Sequence, residues 1–153
     1  MADIKSPEER SRNMSKIRSR NTGPEEFIRK ILFAQGFRYR KNANNIPGHP
    51  DLWLAKYNTA IFVNGCYWHR HEGCKYAYTP KSRVQFWTDK FQKNIARDAA
   101  VRQQLSERGI RELVIWECTI RKMVHSPDME NEILTQIKAF LLSDGMSNEI
   151  YIL

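Results

Sequence analysis

Two of the chain's three cysteines flank a histidine in the spacing Cys66-x4-His71-x2-Cys74, and the third is Cys118. Three sulfurs and one imidazole make a closed tetrahedral donor set for zinc. A site with no open coordination position is structural rather than catalytic. An odd number of cysteines argues against a disulfide framework. The competing account is three buried thiols beside an unrelated histidine. The polar, irregular run around Cys66 and Cys74 favours the metal, and no cysteine has neighbours that would turn it into a nucleophile. The tetrahedron closes if the strand ending near Cys118 lies beside the strand ending near Val63.

Four more side chains carry chemistry. Asp51 follows Pro50 and opens an apolar run, where a carboxylate at a strand start suits a hard divalent cation. Taken alone, it is better explained as a solvated carboxylate of a turn or strand end. His69 falls between Cys66 and His71, so zinc would fix its direction. A histidine held fixed is suited to general-base work on water, because imidazole titrates near neutrality. Asp98 sits on the apolar side of a helical run and needs a partner there, His69 being one candidate. Glu25 reads first as a capping-box residue with Thr22. Tyr67 and Trp68 are large aromatics in the same polar loop. They either stack on or wedge between nucleic-acid bases, or pack over the zinc site.

The elements that must position these residues follow from periodicity and punctuation. Ser6, Pro7 and Glu9 start a basic helix with Arg10, Arg12, Lys16, Arg18 and Arg20, whose only apolar residues are Met14 and Ile17. It buries too little to stand alone and is expected to order against a partner. Thr22 and Glu25 cap a second helix, with a stripe of Phe27, Ile28, Ile31 and Leu32 and a stop at Gly36. Phe37–Arg40 alternates like a short strand, and Lys41–Pro50 reads as loop. Asp51–Leu54 and Thr59–Val63 form a hairpin turning at Lys56–Asn58. A long helix is predicted from Val84 to Arg108, with Phe91, Ile95, Ala99 and Leu105 inward. A strand follows over Ile110–Trp116, then a last helix from Ser126, and a tail. The pattern predicts an α/β fold: a mixed central sheet with helices on both faces, centred on the hairpin and the Ile110–Trp116 strand.

The 153 residues, with no composition break, read as one domain over 1–153, residues 1–20 being a basic arm. Lys and Arg total 25 against 17 Asp and Glu, a net charge of +8, which favours a polyanionic partner. No apolar run is long enough for a membrane span, and the N-terminus lacks an apolar leader core, so a cytoplasmic location is expected.

Several blocks together resemble the very-short-patch repair (Vsr) endonucleases. These are Gly48-His49-Pro50-Asp51, Phe62-Val63-Asn64-Gly65-Cys66-Tyr67-Trp68-His69-Arg70-His71 and Val114-Ile115-Trp116-Glu117-Cys118. Arg12-Asn13-Met14, Thr22 to Glu25, and Phe86-Trp87 through Asn94 to Arg97-Asp98 match as well. The resemblance runs to about Phe140. It implies a restriction-endonuclease-like core and a monomer that nicks 5′ to the thymine of a T–G mismatch left by deamination of 5-methylcytosine. It also implies catalytic Mg2+ on Asp51 and the main-chain carbonyl of Val63, with Glu25 assisting through water. His69 would be the base and Asp98 its partner, and Zn2+ would sit on Cys66, His71, Cys74 and Cys118. Met14, Tyr67 and Trp68 would enter the duplex, with Asn64, Arg12 and Lys16 also on the DNA. A cytosine-5 methyltransferase and mismatch-repair proteins would be cellular partners. The sequence departs from a familiar member, which has His at the position of Asn64, Thr at Val63, Arg at His49 and Phe at Tyr67. Its zinc loop is one residue longer between His71 and Cys74. The residues alone leave open a zinc-stabilised DNA-binding module without catalysis, and a restriction-type nuclease that cuts unmismatched DNA.

Overall fold

A computed structural model describes residues 22–150, with the side chains of 148–150 left aside. The basic N-terminal helix expected around Arg12, Met14 and Lys16 lies outside the described residues.

Helix α1 spans Gly23–Ala34, and its start follows the predicted chemistry. The Glu25 amide donates to Thr22 Oγ1 at 3.4 Å and the Thr22 amide to Glu25 Oε2 at 3.3 Å, so each satisfies an orphan donor of the first turn. Strand β1 is only Arg40–Lys41, shorter and later than the predicted Phe37–Arg40. Phe37 and Tyr39 pack against the core without strand pairing, so their alternation reported burial and not a ladder. Strand β2, Leu52–Leu54, and strand β3, Thr59–Asn64, form the expected antiparallel hairpin, joined by a 3-10 turn over Ala55–Tyr57 and a left-handed Asn58.

Helix α2, Val84–Glu107, crosses over to strand β4, Arg111–Trp116, which pairs parallel with β3 from Thr59↔Arg111 to Asn64↔Trp116. Helix α3, Glu117–His125, was not predicted, and Cys118, just past the predicted strand, is its second residue. Its short apolar set of Ile120, Met123 and Val124 gives little periodic signal, yet the first two are almost fully buried. Helix α4, Pro127–Leu141, is capped by the Ser126 hydroxyl on the Met129 amide at 3.3 Å, as its sequence suggested. The expected tail instead carries strand β5, Ser147–Ile150, parallel to β4.

Among the described residues the sheet runs β1-β2-β3-β4-β5, with β3 in the middle. Each parallel pair needs a crossover, and the two crossovers take opposite faces. Helices α1, α3 and α4 cover one face through Ile28, Leu32, Ile120, Ile133 and Ile137 against Ile61, Leu113 and Ile115. Helix α2 lies on the other, where Leu105 meets Ala60 and Ile110. The inward set predicted for α2 is only half correct: Phe91 and Leu105 are buried, but Ile95 is 51% exposed and Ala99 is exposed. The helix is packed near its two ends. Its middle stands off the sheet over a cleft of about 600 Å³ lined by Ile95, Arg97 and Val114.

Candidate active site

The parallel register decides where the site forms. Asn64 and Trp116 are paired at the ends of β3 and β4, so Cys66 and Cys118, each two residues further on, emerge side by side. The Cys118 amide reaches Cys66 Sγ at 3.4 Å, and Cys118 Sγ lies 3.5 Å from His71 Nδ1. With Cys74, the four donor atoms all fall within 4.8 Å of one another. That spread is a little wider than a closed tetrahedron and fits a soft four-coordinate ion. The His71 ring stacks on Trp116 at 4.2 Å with a 9° tilt, which fixes its plane. Burial pushes the Cys66 thiol up to about 12; the Cys118 amide opposes this, and the other thiols add to it. A thiolate is therefore unfavourable at Cys66 unless a cation is bound beside it.

The loop between these ligands presents the next groups. The His69 amide bonds to Gly65 O and the His71 amide to Cys66 O, both at 3.0 Å, giving a tight turn. His69 Nδ1 meets Asp98 Oδ2 on α2 at 2.7 Å, so the carboxylate fixes the ring and leaves Nε2 free to act on the cleft. Both side chains are about one-third exposed, at 32% and 40%. This second cleft, distinct from the one beneath the middle of α2, has a volume of about 810 Å³, and its walls include Glu25, Val63, His69, Lys90, Arg97 and Arg121.

Asp51 is reached through a strained turn. Gly48 has φ +80°, and a Cβ there would lie 2.6 Å from Val101 Cγ1 and 3.0 Å from the Phe62 ring. His49, at φ 49°, is also left-handed. The Asp51 carboxylate then accepts the Val63 amide at 2.7 Å. Burial pushes this carboxyl up to about 7; the Val63 amide pulls it down, neighbouring Glu25 raises it, and Arg29 lowers it. Two acidic groups on different elements, Glu25 on α1 and Asp51 before β2, thus share one partly buried site. Oxygen donors on one divalent cation are the arrangement that relieves such a pair. The Val63 amide thus fixes the Asp51 carboxylate beside β3.

Tyr67 and Trp68 are half-buried and belong to one aromatic cluster. Tyr67 meets Trp68 edge-on at 5.0 Å, and both lie 5.8 Å from Trp87 on α2. The Asn94 amide holds Trp68 O at 3.0 Å, and Arg70 braces the turn through the carbonyls of Tyr67, Ala77 and Tyr78. The sequence reading gave Trp87 no role. Its signal was the i, i+4 repeat of Trp87 and Phe91 on the face of α2 that meets the loop. Asn64 lies with His69 and Arg97 in the cleft beneath the middle of α2, away from the aromatic cluster.

A His–Asp pair, two neighbouring acids and a Cys–His group that could hold a metal, gathered near the carboxyl ends of β3 and β4, are the kind of site a hydrolase on a mixed α/β sheet carries. Residues 2–75 match the family model described as DNA mismatch endonuclease Vsr. The type II nicking enzyme V.NmeAIP of Neisseria meningitidis is 41% identical over 138 residues, spanning 90% of this chain and 98% of that protein. The DNA mismatch endonuclease Vsr of Escherichia coli K12 is 35% identical over 151 residues, 98% of this chain and 94% of its own length. The nicking enzyme V.XorIIP of Xanthomonas oryzae is 39% identical over 120 residues, 78% of this chain and 88% of that relative. The chain belongs to the Vsr family of DNA mismatch endonucleases, and its class is DNA endonuclease, a hydrolase.

Proposed function

We propose that this enzyme makes a single-strand nick 5′ to the thymine of a T–G mismatch arising from 5-methylcytosine, by magnesium-dependent hydrolysis, and so initiates very-short-patch repair. The observation that carries this reading is one cleft whose walls bring Glu25, the neighbour of Asp51, together with the His69–Asp98 pair.

Asp51 and the main-chain carbonyl of Val63 would hold the magnesium, with Glu25 assisting through water. Bound there, the ion supplies positive charge against the scissile phosphate. Asp98 takes the Nδ1–H of His69, so Nε2 accepts the proton of the attacking water. Lys90, Arg97 and Arg121 on the cleft wall are cations of the right sign for the flanking phosphates, and Asn64 can donate to a phosphate oxygen but cannot become cationic. Zinc on Cys66, His71, Cys74 and Cys118 would hold the loop that aims His69. Tyr67 and Trp68, with Trp87 behind them, would wedge into the stack at the mismatch, where unstacking costs less than in paired DNA. Met14, Arg12 and Lys16 would complete the grip on the duplex. The core is taken as restriction-endonuclease-like, in one domain and a monomer. Among the described residues no helix is long and apolar enough to cross a membrane.

The test uses two labelled duplexes that differ only in carrying T–G or T–A, each with and without magnesium, beside Asp51→Ala. A magnesium-dependent nick of the T–G duplex alone, lost in the variant, is the expected result. Equal cutting of both duplexes would overturn the mismatch specificity, and full activity of Asp51→Ala would overturn the metal assignment.

A further inference from the structure

We propose that Arg29 is a positioning residue for the metal centre: its guanidinium ties Asp51 and Glu25 into one unit across two elements. This rests on the reading of Asp51 and Glu25 as the magnesium site. Arg29 Nε and Nη2 both donate to the main-chain carbonyl of Asp51, at 3.3 and 2.9 Å. Nη2 also lies 3.7 Å from Glu25 Oε2, and Nη1 lies 3.0 Å from Glu26 Oε1. Asp51 is thereby gripped at both ends, its peptide by α1 through Arg29 and its carboxylate by the Val63 amide of β3.

Folding alone does not call for this residue. The guanidinium is 1% exposed, on the same side of α1 as the fully buried Ile28 and Leu32. A charge in such a place costs more than an apolar side chain of similar volume unless every donor is used. The helix is already capped by Thr22 and Glu25 and anchored by Ile28 and Leu32. The buried cation instead spends its donors on the acid-bearing turn. A planar fork can hold a carbonyl with two donors and still face a carboxylate, whereas a lysine ammonium is a single point charge on a flexible stem. Without the fork, the separation of Glu25 and Asp51 depends on helix-to-sheet packing alone. That packing does not fix oxygen donors to the tolerance a small, octahedral ion demands.

The experiment titrates magnesium chloride calorimetrically into the full-length protein without DNA, and follows the magnesium dependence of nicking in parallel. Arg29→Lys and Arg29→Gln are expected to bind magnesium about 10–100-fold more weakly, the range seen when groups orienting metal ligands are removed. Their nicking should need correspondingly more magnesium, with kcat at saturating ion falling less than the affinity. Circular dichroism and melting identify the folded variants. Glu26→Ala is the variant expected to fold regardless, since its side chain is 41% exposed; by removing a partner of Nη1 it should weaken magnesium about threefold to tenfold. A folded Arg29 variant that binds magnesium within about twofold of the parent overturns the proposal. So does an unchanged Glu26→Ala if neither Arg29 variant folds. Asp51→Ala separates the two levels: if it binds magnesium like the parent, the metal assignment itself fails, and if it loses binding while the Arg29 variants keep it, only the role of Arg29 fails.

Discussion

Cys118 is the one ligand of the thiolate–imidazole group that does not come from the Cys66–Cys74 loop, so Cys118→Ser cuts the long-range tie and leaves the local ligands in place. Cys66 and Cys118 are 52 residues apart in sequence. Treating the bound ion as a single cross-link over that span, the chain entropy it removes from the unfolded state corresponds to about 4 kcal/mol at room temperature. For a chain of this size each kcal/mol moves the midpoint by about 2–4 °C, so Cys118→Ser should melt roughly 8–16 °C below the parent. The apolar core on the face of α1, α3 and α4 contains none of the four ligands, so the variant still folds cooperatively. Cys74→Ser weakens the ion but keeps the long tie, and should fall less.

The assay is scanning calorimetry of parent and variants with and without a chelator, with metal analysis of each. Activity should fall more steeply than stability in Cys118→Ser, because His69 lies on the turn between Cys66 and His71 that a bound ion would hold rigid. A variant melting within about 2 °C of the parent, together with a parent that carries no zinc, would refute the reasoning.

Three further outcomes are expected. Asp98→Asn removes the charge that orients His69 but sits on a half-exposed helix face; single-turnover nicking should slow about 10–100-fold while the melting temperature stays put, and an unchanged rate would count against the pairing as functional. Gly48→Ala forces a Cβ into Val101 at a left-handed φ and should cost about 2–3 kcal/mol in urea unfolding; an unmoved midpoint would show that the turn relaxes freely. With the Asp51 carboxyl raised from 3.8 to about 7, the folded protein holds a proton there that magnesium must displace, so affinity rises with pH through that window and then levels. Calorimetric affinity should gain about fivefold from roughly pH 6 to 7 and under about twofold from 7 to 8; a flat profile would mean that Asp51 is already ionised.

Much of the architecture was legible because local signals agreed with the fold. The Thr22–Glu25 box, the Ser126-Pro127 start, the hairpin and the long helix from Val84 all carry capping or periodic marks that tertiary packing did not override. What escaped was decided by packing at a distance. Ile120 and Met123 are the only two buried apolar positions of α3, beside an exposed Val124, too few to register as a period, yet they are buried because α1 and α4 meet there. Ser147–Ile150 is a strand because β4 offers it a free edge, and nothing in its own residues says so. Ile95 sits at the right helical spacing for burial, but α2 stands away from the sheet at that level.

The site divides along the same line. Spacing alone brought Cys66, His71 and Cys74 together, because nine residues of one loop can close on one ion, and the parallel register of β3 and β4 then delivers Cys118. The meeting of His69 with Asp98 could be named as a candidate because a carboxylate among apolar helix positions calls for a partner. Arg29 gave no such signal. In sequence it is one more basic residue on an amphipathic helix, three and four positions from Glu26 and Glu25, and that spacing reads as a surface ion pair. Only its burial and its two hydrogen bonds to a carbonyl 22 residues away distinguish it. A group that works by holding another residue's main chain leaves its evidence in the contact and none in the spacing, so positioning residues of this kind are found only when the fold is known.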